Sequence, residues 1–325
     1  MIIWNRYYIE NTSKYRSAIM GLSMLSIMLF HQYFTSSIPF NIFHNIGFWG
    51  VDIFLYLSGM GLVNSIKKNP TNVFYLRRFK RIIPSCIICG TTKYIIFLLL
   101  GSSVLILKEG LNIGIWSLAS LDLWFIHTII IFYIFAPILY RLLLKFPYLT
   151  ISIILIVFFV NGLSLRPMVG FKWLSFPGVI SWTIERLPVF TAGMLISIKH
   201  EGRYFTNFVS FIFLFIAIIL NLLEKTNLSF LGIQTCQMLA ITISMPSLIM
   251  LCTFIITKIP KSLYQGVVFL GTYSLELYLT HEFIFWTIRI SHEDGNPIIL
   301  LPISFILSCV AAYICKLCAS RLTKI

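Results

Sequence analysis

Ten stretches of near-twenty predominantly apolar residues follow one another along the chain, at 17–36, 44–65, 83–101, 122–142, 148–164, 181–198, 206–223, 235–257, 264–288 and 298–318. A helix rises 1.5 Å per residue, so about twenty such residues cross the hydrocarbon of a bilayer. The sequence therefore predicts an all-α polytopic membrane protein, a single domain over 1–325 with about ten transmembrane helices in one bundle. Composition agrees, since hydrophobic residues make up 58% of the chain, charged residues 11%, and the mean hydropathy of +0.90 lies outside the range of soluble domains. No internal repeat is visible. The first apolar stretch lacks a small-residue cleavage site after it and is expected to remain as a span. The segment 101–121 is expected to hold an interfacial or re-entrant piece.

The formal net charge of +14 would point to nucleic acid in a soluble chain, but here the basic residues gather in the gaps between spans. That placement excludes nucleic acid as the partner. Lipids are the expected surroundings. Threading the ten spans alternately puts 18 Lys and Arg residues on one side and 5 on the other, with Lys93 and Arg186 inside spans. The positive-inside rule then places both termini and the basic run 77–81 in the cytoplasm. The seven cysteines lie in or beside apolar segments, which argues against a disulfide framework. Cys86-x-x-Cys89 and Cys315-x-x-Cys318 sit on apolar helices with no loop to shape a tetrahedral site, so they read as small buried hydrophobes and no metal is expected.

An ionisable side chain within a span is costly to bury and is by default a functional candidate. The chain has His31, Asp52, Lys93, His127, Glu185, Arg186, Glu276, His281 and Glu282 in such positions. Counting from the nearest cytoplasmic basic residue puts His31, Asp52 and Glu276 each roughly 22 Å from the inner border. Lys93, His127 and Arg186 fall at about 18 to 21 Å, and His281 at about 30 Å. Six helices thus contribute polar groups to one layer. A histidine opposite an acid at one depth has the parts of a general base and its orienting carboxylate, so His31 and Asp52 form a candidate dyad. The plainer reading is that Asp52 or Glu185 pairs with Arg186 or Lys93 in a network that fixes helix packing, and it is the better one for Glu185 and Arg186. His127, one turn from Trp124, is equally an interfacial side chain or a substrate contact. His44, His200 and His292 are expected to be solvated.

Tyr75-Leu76-Arg77-Arg78-Phe79-Lys80-Arg81-Ile82-Ile83-Pro84 is compact and basic. As a topology signal alone it would touch lipid phosphates. With Pro84 in the first turn of the third span, however, Arg77, Arg78 and Arg81 would offer forked donors where a helix dipole already favours an anion. A phosphate-bearing cytoplasmic ligand fits that arrangement better than lipid alone.

In order and spacing these segments resemble the acyltransferase family 3 membrane proteins, which O-acylate cell-surface glycans and related acceptors. Phe30-His31 is similar to the family's catalytic histidine in the first helix, and Trp49-Gly50-Val51-Asp52-Ile53-Phe54-Leu55-Tyr56-Leu57-Ser58-Gly59 to its second-helix signature. Arg77-Arg78-Phe79-Lys80-Arg81-Ile82-Ile83-Pro84 resembles its arginine-rich element ending in proline. Leu123-Trp124-Phe125-Ile126 with Tyr133 and Pro137, Glu185-Arg186-Leu187-Pro188-Val189-Phe190 with Gly193, and Gly271-Thr272-Tyr273-Ser274-Leu275-Glu276-Leu277-Tyr278-Leu279-Thr280-His281 resemble later blocks. Many members carry an arginine eleven residues before the histidine; here that position is Met20, and the nearest basic residue is Arg16. No appended hydrolase-like domain is expected, and the resemblance implies no second transfer step.

The resemblance implies a membrane O-acyltransferase that moves an acetyl or other short acyl group from cytoplasmic acyl-coenzyme A to a hydroxyl of an envelope glycan, an exopolysaccharide or its lipid-linked precursor. It implies the bacterial cytoplasmic membrane as the setting. Arg77, Arg78 and Arg81 would hold the donor phosphates. His31 would act as general base or as transient nucleophile, with Asp52 orienting it. Arg186 or Lys93 would stabilise an oxyanion. Lys93, His127, Glu185, Arg186, Glu276 and His281 are the substrate or transition-state candidates. The rivals are a transporter or flippase of a lipid-linked sugar or anion, which would use the same charges as a relay, and a non-catalytic scaffold of a glycan-assembly complex. The missing repeat and the lack of paired interrupted helices weigh against the transporter. The sequence does not read out the oligomeric state.

Overall fold

The structure is a computed structural model and describes residues 2–32, 47–99, 124–165, 176–198, 207–224, 232–291 and 296–322. Among these residues every regular element is helical: α1 Ile2–Lys14, α2 Arg16–Phe30, α3 Trp49–Lys68, α4 Thr71–Leu99, α5 Trp124–Lys145, α6 Pro147–Val160, α7 Phe176–Ile198, α8 Asn207–Glu224, α9 Ile233–Lys258, α10 Lys261–Thr272, α11 Ser274–Ser291 and α12 Pro297–Leu322. A π turn, Asn161–Leu165, extends α6. The segment 101–121 and His44, His200 and His292 lie outside the described residues.

The all-α reading holds, but the number of clear spans is smaller than the ten expected. Five of the described helices are long and apolar enough to cross a membrane: Trp124–Lys145, Pro147–Ser164, Gly178–Ile198, Ile233–Lys258 and Ile298–Leu322. Arg16–Phe30 and Val209–Glu224 are apolar but shorter. The other long helices are diluted by polar residues: Asp52 and Asn64 in α3, Arg77 to Arg81 and Lys93 in α4, and Glu276, Glu282 and Arg289 in α11. Large apolar side chains stand exposed on α5, α6, α8 and α12, Phe135, Ile156, Phe215 and Ile306 among them, as a bilayer-facing surface requires.

α3 occupies the middle. Nearly all of its first half is buried, and it packs against α2, α5, α7 and α9. Its register with α2 is antiparallel: the Ser26 hydroxyl donates to the Gly47 carbonyl at 3.3 Å, Gly50 meets Ser23 and Ile27, and Gly61 meets the Arg16 guanidinium. With α7 it is parallel, because Asp52 pairs with Arg186, Tyr56 meets Gly193, and the Ser197 hydroxyl donates to the Met60 carbonyl at 3.1 Å. Close approach depends on missing side chains. A methyl at Gly271 would overlap the Ser17 carbonyl, which is how the end of α10 beds into α2.

Three expectations change. The basic run does not precede a helix: α4 begins at Thr71 and continues through the arginines and Pro84, so no helix N-terminus stands behind them. The predicted ninth span, 264–288, is two helices that meet at Tyr273. Cys89 and Cys315 are joined as a disulfide between α4 and α12, their Cα atoms 6.5 Å apart, where two unconnected thiols were expected. The spacing within each Cys pair carries no information about which helices lie side by side, and the fold makes α4 and α12 neighbours. Cys86 and Cys318 remain free thiols.

Candidate active site

Helical periodicity shapes the basic cluster. Arg77 and Arg81 are one turn apart on the same face of α4, and both are exposed. Arg78 turns inward and stacks between the rings of Phe74 and Tyr133, 5.7 and 5.8 Å from their centroids. Burial pushes its guanidinium below its ordinary value, Tyr133 opposes that, and Arg81 and Arg77 add to the downward push. Arg16, the first residue of α2, lies against Gly61 and within electrostatic reach of Tyr133, Arg81 and Arg78. It stands one turn before Met20 on the same helix face. That spacing is the signal by which the sequence could have found it.

His31 terminates α2, and its backbone N–H donates to the Ile27 carbonyl at 3.1 Å. Counted along α2, it is about 22 Å beyond Arg16. Its Nδ1 is 3.1 Å from the Ile27 carbonyl and 3.1 Å from Nε2 of His281. The two rings meet edge-on with centroids 5.0 Å apart, and Phe30 closes on His31 at 4.9 Å. His31 is half-buried, whereas His281 is 1% exposed.

The expected dyad of His31 with Asp52 does not form. Oδ1 of Asp52 is 3.2 Å from Nε of Arg186, and both side chains are fully buried. The guanidinium of Arg186 lies over the rings of Trp182, Trp124 and Phe48 at 5.6, 5.7 and 5.9 Å, and its Nη1 points at the sulfur of Met238. An aromatic cage and a carboxylate together compensate the desolvated cation. Of the two acids weighed as partners for Arg186, Asp52 makes the contact, and Glu185 is buried nearby.

The basic residues that bound each helix do not share one level, so residue counts from them do not compare between helices. α3 passes Arg16 at Gly61, well before Lys67, so Asp52 lies about 10 Å nearer the arginine end than His31. The twelve residues of α10 precede α11 without adding to its rise. His281 therefore stands level with His31 instead of above it, and Glu276 lies about 8 Å lower along α11. There Glu276 accepts a hydrogen bond from the Ser85 hydroxyl at 2.8 Å, one turn beyond Arg81. Lys93 lies over the Phe283 ring at 5.9 Å. His127 is half-buried on α5 beside Thr128, whose hydroxyl is 2.9 Å from that of Thr183. Among the described residues the hydrogen-bond partners of His31 are Ile27 and His281.

Two facing imidazoles at one end of α2 and a set of guanidinium groups at the other suit proton transfer at the first and anion binding at the second. No curated protein and no solved structure matches the chain significantly. One family model does match, described as an acyltransferase domain, over residues 18–317, nearly the whole chain and all of the histidine and arginine elements except Arg16. The chain therefore belongs to acyltransferase family 3, and it is a membrane acyltransferase.

Proposed function

We propose that the protein transfers a short acyl group, acetyl in the simplest case, from cytoplasmic acyl-coenzyme A to a hydroxyl of an envelope glycan or its lipid-linked precursor. What carries the reading is the pairing of an acyltransferase family match with a histidine that ends an apolar helix whose first residue lies among arginines. The chain crosses the bacterial cytoplasmic membrane ten times, with both termini and the arginines inside. Arg77, Arg78 and Arg81, joined by Arg16, bind the diphosphate and ribose phosphate of the donor through charge-assisted hydrogen bonds. The pantetheine arm extends along α2 toward His31.

At that end Nε2 of His31 takes the proton of the acceptor hydroxyl as its oxygen attacks the thioester carbonyl. The new ester C–O bond forms, the C–S bond breaks, and coenzyme A leaves as the thiolate that the same proton neutralises. If the acyl group instead rests on His31, the same nitrogen is the nucleophile. Asp52 serves here as the anchor of Arg186. Lys93, His127 and Glu185 remain proposed acceptor-side or oxyanion groups, and Glu276 a group between the two ends.

The decisive measurement is acyl transfer by purified protein in nanodiscs with labelled acetyl-coenzyme A. Replacing His31 by Ala is expected to reduce turnover by a factor on the order of 10² to 10⁴ without changing expression, the range of a positioned base. Full activity in that variant would overturn the assignment of His31.

A further inference from the structure

His281 has hydrogen-bonding geometry that fixes which nitrogen carries its proton. Nδ1 lies 2.8 Å from the Leu277 carbonyl and 3.1 Å from the Tyr278 carbonyl. Both neighbours are acceptors, so Nδ1 must be the N–H. A neutral imidazole has one such hydrogen, and the ring is buried among Tyr278, Phe285 and His31 at centroid distances of 6.0, 6.1 and 5.0 Å. Its Nε2 is therefore a bare acceptor.

The same logic passes to His31. Its Nδ1 faces two acceptors, the Ile27 carbonyl and Nε2 of His281, each at 3.1 Å. Nδ1 of His31 must then be protonated, and its Nε2 must hold the lone pair. A doubly protonated His281 would instead aim an N–H at His31 and leave Nδ1 of His31 as an acceptor facing the Ile27 carbonyl, lone pair against lone pair.

We propose that His281 is the positioning residue of the reaction: it holds His31 in the Nδ1–H tautomer, with Nε2 free to act on the acceptor. This rests on the reading of His31 as the reacting residue, and it deepens that reading. The assignment serves direct transfer and the acyl-histidine route alike, because both need a bare Nε2. It replaces a carboxylate with a neutral imidazole as the group behind the base. Once Nε2 has taken a proton, the Nδ1–H of His31 still donates to His281, so the imidazolium keeps a partner without a buried anion.

The test combines kinetics with solid-state ¹⁵N NMR of histidine-labelled full-length protein in nanodiscs, the His31 signals identified by their loss in His31→Ala. Wild type should show His31 protonated at Nδ1 and bare at Nε2. His281→Gln, whose amide oxygen can accept in place of Nε2, should keep turnover within about tenfold of wild type. His281→Phe, similar in size but without an acceptor, should lose on the order of a hundredfold in kcat with little change in either KM, and should lose the single His31 tautomer. A wild-type spectrum with Nδ1 of His31 unprotonated would overturn the proposal, whatever the variants do. So would wild-type kcat in His281→Phe. A correct tautomer in wild type beside an active His31→Ala would instead sink the role of His31 and leave the hydrogen-bond assignment standing.

Discussion

Asp52 and Arg186 are the residues whose chemistry most differs between an isolated helix and the folded bundle. Each alone is a costly charge in an apolar surrounding, and together they are a buried pair 3.2 Å apart. Removing one partner strands the other, a change of about 3 to 5 kcal/mol, while removing both is far milder. Asp52→Asn and Arg186→Met are therefore expected to lower thermal stability in detergent sharply, and the double variant to recover much of the loss. Additive losses in this double-mutant cycle would show that the pair is not energetically coupled. At this scale His31 was legible as a candidate, since a histidine at the end of an apolar helix stands out by itself. Its partner was not: a contact between positions 31 and 281 depends on where α10 stops, and no residue count supplies that.

Apart from α1, which lies in a polar and aromatic stretch, the helices were legible as apolar runs, but not their ends. α4 shows why, because a basic run looks like a boundary while good helix formers such as Leu, Arg and Lys continue the helix straight through it. Pro84 removes one backbone hydrogen bond, to the Lys80 carbonyl, and the helix tolerates the loss. With the arginines on a helix face instead of a terminus, the proposed donor binding rests on their side chains rather than on backbone N–H groups. Arg78→Gln with Arg81→Gln is accordingly expected to raise the KM for acyl-coenzyme A tenfold or more and to leave the acceptor KM within about twofold, each contact to a charged group contributing about 1.5 to 3 kcal/mol. Equal effects on both substrates would remove the donor role. The α2–α10 contact makes a separate prediction. Gly271→Val must push the two helices apart at Ser17, which at the 1 to 3 kcal/mol of overpacking should lower the melting temperature and, by shifting α11, lower turnover as well. An unchanged melting temperature would mean that the contact is loose.

At the scale of the whole molecule, neighbouring helices run in directions that suit alternate crossing. α3 opposes α2 and parallels α7, while α11 parallels α2 and opposes α12 through the Phe285–Phe305 and Tyr273–Tyr313 ring pairs at 5.4 and 5.8 Å. On the proposed topology, single cysteines placed at the exposed residues Asn72 and Ser262 in a chain stripped of its own should react with an impermeant maleimide only from the cytoplasm. One at Asn296 should react only from outside. Labelling of positions 72 and 296 from one side would refute ten crossings. The all-α class was legible because lipid leaves a spanning chain little else but helices, whereas the ten crossings read from the apolar runs meet only five helices of full spanning length among the described residues. Helix adjacency was not legible, and the Cys89–Cys315 link and the cage of Phe48, Trp124 and Trp182 both depend on it. The Asp52–Arg186 pair also sets a timetable for biosynthesis. At about 5 to 20 residues per second, the 134 positions from residue 52 to residue 186 take a ribosome about 7 to 27 s. On the proposed topology the nascent α3 carries its acid without its counter-ion through that interval, and the buried pair can form only when α7 arrives.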